Sequence, residues 1–224
     1  MLWTAALVCV TPPAPCGADP RPECPGATSW EETHPDQSAE AIAERDKARM
    51  LSDPQLLAEL QRRVDSDQAA RRALLHLPRD ARAGGLVQQI DAQNIAWLRR
   101  ALEKGFPTAA QVGEHGLHLT WILLQHADSA PQLQQQWLPT LVARYQSHEL
   151  PANDLARYVD RLLRAAKKPQ RFGTQFDWQS GTFSLPEGQT LEEIDANRRQ
   201  LGLMPLEDYA CKMTRVAREA AGGD

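Results

Sequence analysis

The chain has little cysteine and few aromatic residues, with four Cys, six Trp, three Tyr and four Phe among 224 positions. Neither sign of charge dominates, because 25 Lys and Arg residues stand against 29 Asp and Glu residues and the net charge is -4. A nucleic-acid-binding protein needs a basic surface to neutralise the phosphate backbone. We therefore expect no nucleic-acid partner.

Long apolar runs are absent as well. No segment reaches about 18 consecutive apolar residues, the length at which a helix can cross a bilayer, so we predict no transmembrane segment. With a hydrophobic fraction of 42%, the chain can instead bury the core of one globular domain. We place this domain at residues 38–224, after a Pro- and Gly-containing linker or extended arm at residues 19–37.

The sequence also lacks the common catalytic and cofactor motifs. It contains no HExxH, CxxC or GxSxG pattern, no Gly-rich phosphate loop and no nucleotide-binding fingerprint. His115 and His118 lie one helical turn apart, but a third ligand at His126 would lie about 80° away around the helix. We therefore predict no metal site and no cofactor.

The first 18 residues have the character of an export signal. Residues 1–10 are mostly apolar, and a Pro-rich stretch and a small-x-small triplet ending at Ala18 follow. This pattern predicts a signal peptide at residues 1–18 and a periplasmic or secreted protein, although no Lys or Arg precedes the apolar run. If this leader is not functional, we expect a cytoplasmic protein.

Two cysteines, Cys24 and Cys211, would remain after removal of the leader. In an exported protein two thiols favour one disulfide bond, which here would join the N-terminal arm to the last helix. The alternative is that the two cysteines are unrelated.

Apolar residues recur at helical spacing over most of the predicted domain. Residues 108–127 are apolar all round, which is typical of a buried helix. Strand-like sequence occurs at residues 170–185, around a Ser180-Gly181 turn signal. We predict a mainly α, single multi-helix domain, with about seven helices packed around residues 108–127 and one small β-hairpin.

Polar side chains end this buried segment. Gln125 and His126 occupy its last turn, and Asp128 follows. A buried polar group without a partner costs roughly 1–3 kcal/mol. These side chains must therefore find hydrogen-bonding partners inside the fold, and they are candidates for a functional site.

Polar residues and glycines dispersed along the chain form an ordered pattern. It comprises Asp67, Arg71, Asp91, Asn94, Gly105, Pro107, Gly113, Gln125-His126-Ala127-Asp128, Gln134, Asp160-Arg161, Gln170, Gly173-Thr174-Gln175, Asp195, Arg198-Arg199, Gly202-Leu203 and Tyr209. Over residues 60–209 this pattern resembles an uncharacterised bacterial family known as a domain of unknown function. In that family Tyr is more frequent at the position of Phe172. The resemblance implies a shared fold and a shared polar site, and it brings no established activity.

We hypothesise that residues of these motifs form one polar cleft with the hairpin as its lid. His126 would act as the general base, because an imidazole titrates near neutral pH, and Asp128 or Asp160 would orient it. Arg161 would bind an anionic group. The expected ligand-binding side chains are Gln125, Arg161, Gln170, Thr174 and Gln175.

A purely structural interpretation is also consistent with the sequence. Gln125 and His126 would then cap the buried helix and bond neighbouring backbone. Asp160 would pair with Arg157 or Arg164, each about one helical turn away.

Two classes of function follow from these alternatives. We favour a non-catalytic binding or interaction module, secreted or in the cell envelope, whose polar cleft recognises a small anionic ligand or another protein. The alternative is a hydrolase or lyase with His126, Asp128 and Asp160 as catalytic residues and Arg161 as an anion clamp. An exposed His126 would favour the enzyme, and a fully paired network would favour the module.

Overall fold

The computed structural model describes residues 23–77, 79–175 and 189–220. Within these residues the chain forms nine α-helices, one short 3-10 helix at Pro35–Gln37 and no strand, which confirms the predicted helical class. The helices are α1 (Pro25–Thr33), α2 (Ala39–Lys47), α3 (Pro54–His76), α4 (Ala81–Ala101), α5 (Ala109–Gln125), α6 (Pro131–Gln146), α7 (Ala152–Ala165), α8 (Leu191–Gln200) and α9 (Leu206–Ala220).

Side-chain caps set where several of these helices begin. Asp53 accepts the backbone N–H of Leu56 at the start of α3, and Thr108 forms a capping box with Gln111 at the start of α5. Asp80 accepts the N–H groups of Arg82 and the next residue, so α4 begins at residue 81. The helix forms there although its first turns contain two glycines, which weaken a helix.

Helix α5 lies at the centre of the domain and contacts α2, α3, α4, α6 and α7. Its residues Leu117, Trp121, Leu123 and Leu124 are all at most 2% exposed, which agrees with the expectation of a buried helix, although one face of it, with His115 and His118, reaches the surface. The long antiparallel pair α3 and α4 packs along it, and their apolar faces share one core cluster with it. The C-terminal end of α5 therefore lies against two rigid helices.

Helix α5 is kinked near its start, and α2 stabilises the kink. Gly113 has φ +74°, and a Cβ atom there would lie 2.5 Å from the carboxylate of Asp46. That carboxylate accepts the backbone N–H groups of Glu114 and the following residue, at 2.9 and 2.8 Å. Arg45 and Arg49 both pair with the buried Glu114 carboxylate at 2.7 Å. The kink thus depends on residues that precede α3.

Residues 23–37 of the segment predicted as an extended arm are instead mostly helical, and they pack against α9. Helix α1 packs against α9, and a disulfide joins Cys24 to Cys211. Gly26 fits against Asp208, whose carboxylate a Cβ atom would overlap. Pro25 at the first turn of α1 favours a helix start, a local signal that outweighs the loop-like composition.

Two further predictions differ from the structure or fall outside it. The expected number of about seven helices is too low, since the described residues contain nine. The expected hairpin is not matched, because residues 170–175 form an irregular loop and residues 176–185 lie outside the described part. The predicted signal peptide at residues 1–18 lies outside it as well. No helix in the described ranges has the length and apolar character needed to cross a membrane.

Candidate functional site

Three helices bring polar side chains together at the C-terminal end of α5. Asp67 and Arg71 are four residues apart and therefore share one face of α3. Asp91 of α4 lies within reach of that face, with its Oδ1 atom 2.5 Å from Nη2 of Arg71. His126 is the C-cap residue of α5. The position of the site thus follows from the packing of α5 against α3 and α4.

The imidazole of His126 is bound to a buried carboxylate. Its Nδ1 atom lies 2.7 Å from Oδ2 of Asp67, and the two side chains are 11% and 1% exposed. Burial alone would raise the pKa of Asp67, but the hydrogen bond from His126 and the charge and hydrogen bond of Arg71 outweigh burial and lower it. An ionised carboxylate can only accept hydrogen bonds, so Nδ1 carries the proton and Nε2 keeps its lone pair.

The Nε2 atom of His126 has one weak contact among the described residues. Nε2 of Gln125 lies 3.5 Å away, at the outer limit for a hydrogen bond. Burial lowers the pKa of His126, and the charges of Arg71 and Arg161 lower it further, while Asp67 opposes them. The ring is therefore neutral at pH 7, and it offers an oriented lone pair that can accept a proton.

Arg71 links two carboxylates. Its Nε atom donates to Oδ1 of Asp67 at 3.1 Å, and its Nη2 atom donates to Asp91. Burial raises the pKa of Asp91 to about 6, and the charges of Asp67 and Asp128 add to this effect although Arg71 opposes it. Asp91 is therefore a carboxyl group of the cluster that titrates far above the ordinary range of an aspartate.

Asp128 and Arg161 form a bidentate ion pair beside the histidine. Nε and Nη2 of Arg161 donate to the two carboxylate oxygens at 2.7 and 2.5 Å. Partial burial would raise the pKa of Asp128, but the hydrogen bond and charge of Arg161 outweigh it and lower the pKa. We call Asp67, Arg71, Asp91, His126, Asp128 and Arg161 together the polar site.

The buried side chain of Gln134 fixes the turn that carries His126. Its Nε2 atom donates to the carbonyl oxygens of Leu124 and Gln125, both at 3.1 Å, and lies 3.5 Å from Oδ1 of Asp128. The Tyr158 hydroxyl donates to the backbone carbonyl of Gln134. Helices α6 and α7 thus hold the end of α5 in one conformation.

Asp160 does not join the polar site. It is fully buried, and its carboxylate accepts the backbone N–H groups of Arg171, Phe172 and Thr174 at 2.7 to 3.2 Å and the Thr174 hydroxyl at 2.8 Å. Within the described ranges it forms no ion pair with Arg157 or Arg164, contrary to one expectation, since its partners are the N–H groups and hydroxyl of the loop. Burial raises the pKa of Asp160 although these hydrogen bonds oppose it. Its contacts are those of a loop anchor.

The glutamines of the same loop bond within it and to α7. The Gln170 side chain accepts the backbone N–H of Gln175 at 2.8 Å, and Gln175 Nε2 donates to the carbonyl oxygen of Arg157 at 3.1 Å. Of the expected site residues, the structure brings together Gln125, His126, Asp128 and Arg161. Gln170, Thr174 and Gln175 instead form a second cluster with Asp160.

Sequence reasoning missed the partner of His126. Asp67 and Arg71 belong to the resemblance pattern but were not assigned to the cleft, since 59 residues separate Asp67 from His126. The sequence feature that could have identified Asp67 and Arg71 is an acidic and a basic residue four positions apart on a helix that is otherwise amphipathic.

Other features of the described residues add no cofactor site. No three His, Cys, Asp or Glu side chains there converge to hold a metal ion. His115 contacts Gln61, and His118 contacts Asp154, so the two rings have separate partners. A surface groove of about 360 Å³ is lined by Leu133 and Trp137 and contains no side chain of the polar site.

The chain matches a protein-family model. Residues 54–221 match the model described as a family of unknown function, DUF6624, which confirms the expectation of an uncharacterised family. Searches of curated proteins and of solved structures gave no match. The matched region begins at α3, so α1 and α2 lie outside it.

Proposed function

The chain belongs to the DUF6624 family, and on that premise we propose that its polar site performs acid-base chemistry as a hydrolase or lyase. The observation that carries this proposal is the contact of His126 Nδ1 with the buried Asp67 carboxylate. It fixes the tautomer and orientation of the ring, as a general base requires. The His126 side chain is partly exposed, and its Nε2 atom has no strong hydrogen-bond partner among the described residues.

In a hydrolytic reaction Nε2 of His126 would take a proton from water while the water oxygen attacks the substrate. The leaving group would depart with a proton from the imidazolium or from Asp91. Asp91 is a chemically suitable proton donor. Its pKa, raised by burial to about 6, keeps a fraction of the Asp91 carboxyl groups protonated near neutral pH. In a lyase the same base would remove a proton from carbon.

Arg161 would bind an anionic group of the substrate. Its Nε and Nη2 atoms are used by Asp128, but no hydrogen bond of Nη1 is found among the described residues. Asp128 is 58% exposed, and an exposed ion pair contributes roughly 0–1 kcal/mol. A substrate carboxylate or phosphate can therefore share the guanidinium or displace Asp128 at low cost.

A test that needs no substrate is an NMR titration of the His126 ring in ¹⁵N-labelled protein, combined with carbethoxylation by diethylpyrocarbonate. We expect a neutral Nδ1–H tautomer at pH 7 and modification of Nε2. Asp67→Asn should change both the tautomer ratio and the reaction rate. His148→Gln, on a surface turn, serves as the matched control.

A His126 ring that neither titrates nor reacts until the protein unfolds would overturn the enzyme proposal. If the ring behaves as expected, chromogenic esters, phosphates and glycosides can be screened with wild type and His126→Gln. Turnover that is lost in His126→Gln but kept in His148→Gln would identify the substrate class.

A non-catalytic binding module is the second candidate. It is favoured by the pairing of both cations of the polar site, because Arg71 holds Asp67 and Asp91 while Arg161 holds Asp128. Such a module would bind a small anion or a protein without chemical change. Thermal stabilisation by an anionic ligand, lost in Arg161→Gln and unaccompanied by turnover, would support the module over the enzyme.

We also propose that the protein is exported to the periplasm or the medium. The Cys24–Cys211 disulfide supports this, since such bonds persist in oxidising compartments and are rare in the cytoplasm. Fractionation of a bacterial host followed by intact-mass analysis is the test. Full-length protein with free thiols in the cytoplasmic fraction would contradict export.

A further inference from the structure

The Asp128 carboxylate lies between a cation and a buried amide. Its Oδ1 atom accepts a hydrogen bond from Nε of Arg161 at 2.7 Å and lies 3.5 Å from Nε2 of Gln134. Its Oδ2 atom accepts a hydrogen bond from Nη2 of Arg161. A separation of 3.5 Å is the outer limit for a hydrogen bond. The guanidinium is therefore the main partner of Asp128, and a small movement of the carboxylate would give it the amide as a second one.

The ion pair is placed where dissolved anions can exchange with it. The side chain of Asp128 is 58% exposed and that of Arg161 is 25% exposed. Solvent screens the two charges, so the pair contributes little to stability. A carboxylate group from solution presents the same two oxygen atoms to the same two N–H donors. It can therefore replace Asp128 without a loss of hydrogen bonds at the guanidinium.

The Gln134 amide has a hydrogen bond that it can redirect. Its Nε2 atom donates to the carbonyl oxygens of Leu124 and Gln125, each at 3.1 Å. The carbonyl oxygen of Leu124 also accepts the backbone N–H of Ala127 at 3.1 Å, so it keeps a partner when Gln134 turns away from it. One N–H of Gln134 can therefore move from Leu124 to Asp128, while the other stays on Gln125.

Burial keeps the Gln134 amide in place. The residue is 2% exposed, and the Tyr158 hydroxyl donates to its backbone carbonyl oxygen at 2.9 Å. A hydrogen bond from a buried amide to a carboxylate is stronger than the same bond in water, because the surroundings screen the charge less. Gln134 is thus a fixed donor that can stabilise the Asp128 carboxylate after it leaves Arg161.

We infer that Asp128 is an internal competitor for the anion-binding position on Arg161. It occupies the guanidinium until the carboxylate group of a substrate replaces it, and the released Asp128 carboxylate then binds Nε2 of Gln134. This inference rests on the proposed function, because it takes Arg161 as the substrate-binding cation. It adds a substrate class, molecules with a carboxylate group, since Nε and Nη2 of Arg161 already hold a carboxylate by both oxygen atoms.

The test is an NMR titration of the ¹⁵N-labelled full chain with sodium acetate, at constant ionic strength set with sodium chloride. The Nε–H signal of Arg161 reports binding, and the side-chain amide signal of Gln134 reports the arrival of Asp128. We expect both signals to shift with the same saturable dependence on acetate. In Arg161→Gln the Gln134 signal should no longer respond to acetate.

Removal of the competitor should strengthen binding. Asp128→Asn should tighten the apparent affinity for acetate by about two- to fivefold, because an exposed ion pair no longer has to be broken. Glu149→Gln is the matched control, since it removes a comparable ion pair with Arg144, and it should bind acetate as wild type does.

A double-mutant cycle separates the release of Asp128 from a general effect of its charge. Gln134→Met should weaken acetate binding in wild type but not in Asp128→Asn, because only a released carboxylate needs the amide. If Gln134→Met does not fold, the Gln134 amide signal of the wild type decides the same point.

Three results would overturn the inference alone. They are saturation of the Arg161 signal without a change at Gln134, an acetate affinity of Asp128→Asn no higher than that of wild type, and saturation by sodium phosphate where acetate gives only a linear shift. The anion-binding role of Arg161 would survive each of them. No saturable binding of either anion by wild type or Asp128→Asn would overturn that role as well, whereas the tautomer and carbethoxylation of His126 test the acid-base proposal separately.

Discussion

The Nδ1 atom of His126 lies 2.7 Å from the Oδ2 atom of Asp67, and the helices α5 and α3 pack against each other there. Because the carboxylate is almost fully buried, water does not compete for the hydrogen bond. The contact therefore has two consequences, one for the tautomer of the imidazole and one for the stability of the packing of α3 against α5.

Asp67→Asn should affect both properties. The amide is nearly isosteric but uncharged, so the loss of one hydrogen bond to a charged group should lower the free energy of unfolding by about 1.5–3 kcal/mol. The pKa of His126 should fall further, because the carboxylate that raises it is gone. Chemical denaturation and histidine NMR measure the two effects. Asp65→Asn, exposed on the same helix, should change neither.

Asp91 should make stability depend on pH in an unusual direction. Its pKa, raised mainly by burial to about 6, lies above the unfolded value, so ionisation is less favourable in the folded state. As the pH rises from about 4 to 6, ionisation of Asp91 therefore lowers the free energy of unfolding. Relative to wild type, Asp91→Asn should gain up to about 3 kcal/mol between pH 4 and pH 7. Urea denaturation at several pH values measures this.

Asp128→Asn should show the opposite trend and serves as the control for Asp91. The pKa of Asp128 is lowered by Arg161 against the effect of burial, so its stabilising contribution is lost as pH falls. The effect should be small, because the carboxylate is largely exposed. The same sign of pH dependence in both variants would contradict the account of this cluster.

Asp160→Ala should release the loop at residues 171–174. Three backbone N–H groups and one hydroxyl lose their buried acceptor, and we expect a loss of at least about 3 kcal/mol in the free energy of unfolding. Hydrogen exchange of the amides of Arg171, Phe172 and Thr174 should accelerate. If these amides stay protected in the variant, Asp160 is not the anchor of the loop.

Reduction of the Cys24–Cys211 disulfide should loosen the ends of the chain first. Loss of a native disulfide typically costs about 2–5 kcal/mol. Hydrogen exchange should increase in α1 and α9, while α3 and α5 stay protected because they belong to a different core cluster. A Cys24→Ser variant should behave like the reduced protein. Equal loss of protection in all four helices would refute this division.

His118 should stabilise the fold more at low pH than at high pH. Burial alone would lower its pKa, but the charge and hydrogen bond of Asp154 outweigh burial and raise it. This contribution is complete below the unfolded pKa and is lost as pH rises through the folded pKa. The difference in Tm between wild type and His118→Gln should therefore shrink between pH 5.5 and pH 8.5. A difference in Tm that grows over this range would refute the account of this pair.

The sequence by itself determined the helical class and the buried central helix. Both follow from local patterns, namely the spacing of apolar residues and the capping side chains, which act within a few positions of each other. Local patterns also identified His126 and Asp128 as candidate site residues, since polar side chains at the end of an apolar helix are visible in the sequence.

Only the tertiary structure decided which carboxylate His126 uses and what Asp160 does. For His126 and for Asp160 the sequence offers several possible partners, which lie far apart in the chain. The spacing of apolar residues does not show which helices lie close together. Helix packing placed Asp67 next to the imidazole of His126. The same packing placed Asp160 among backbone N–H groups of a loop, which donate to its carboxylate. A buried carboxylate binds the donors that the fold brings to it, and those donors are set by the arrangement of α3, α5 and α7 as a whole.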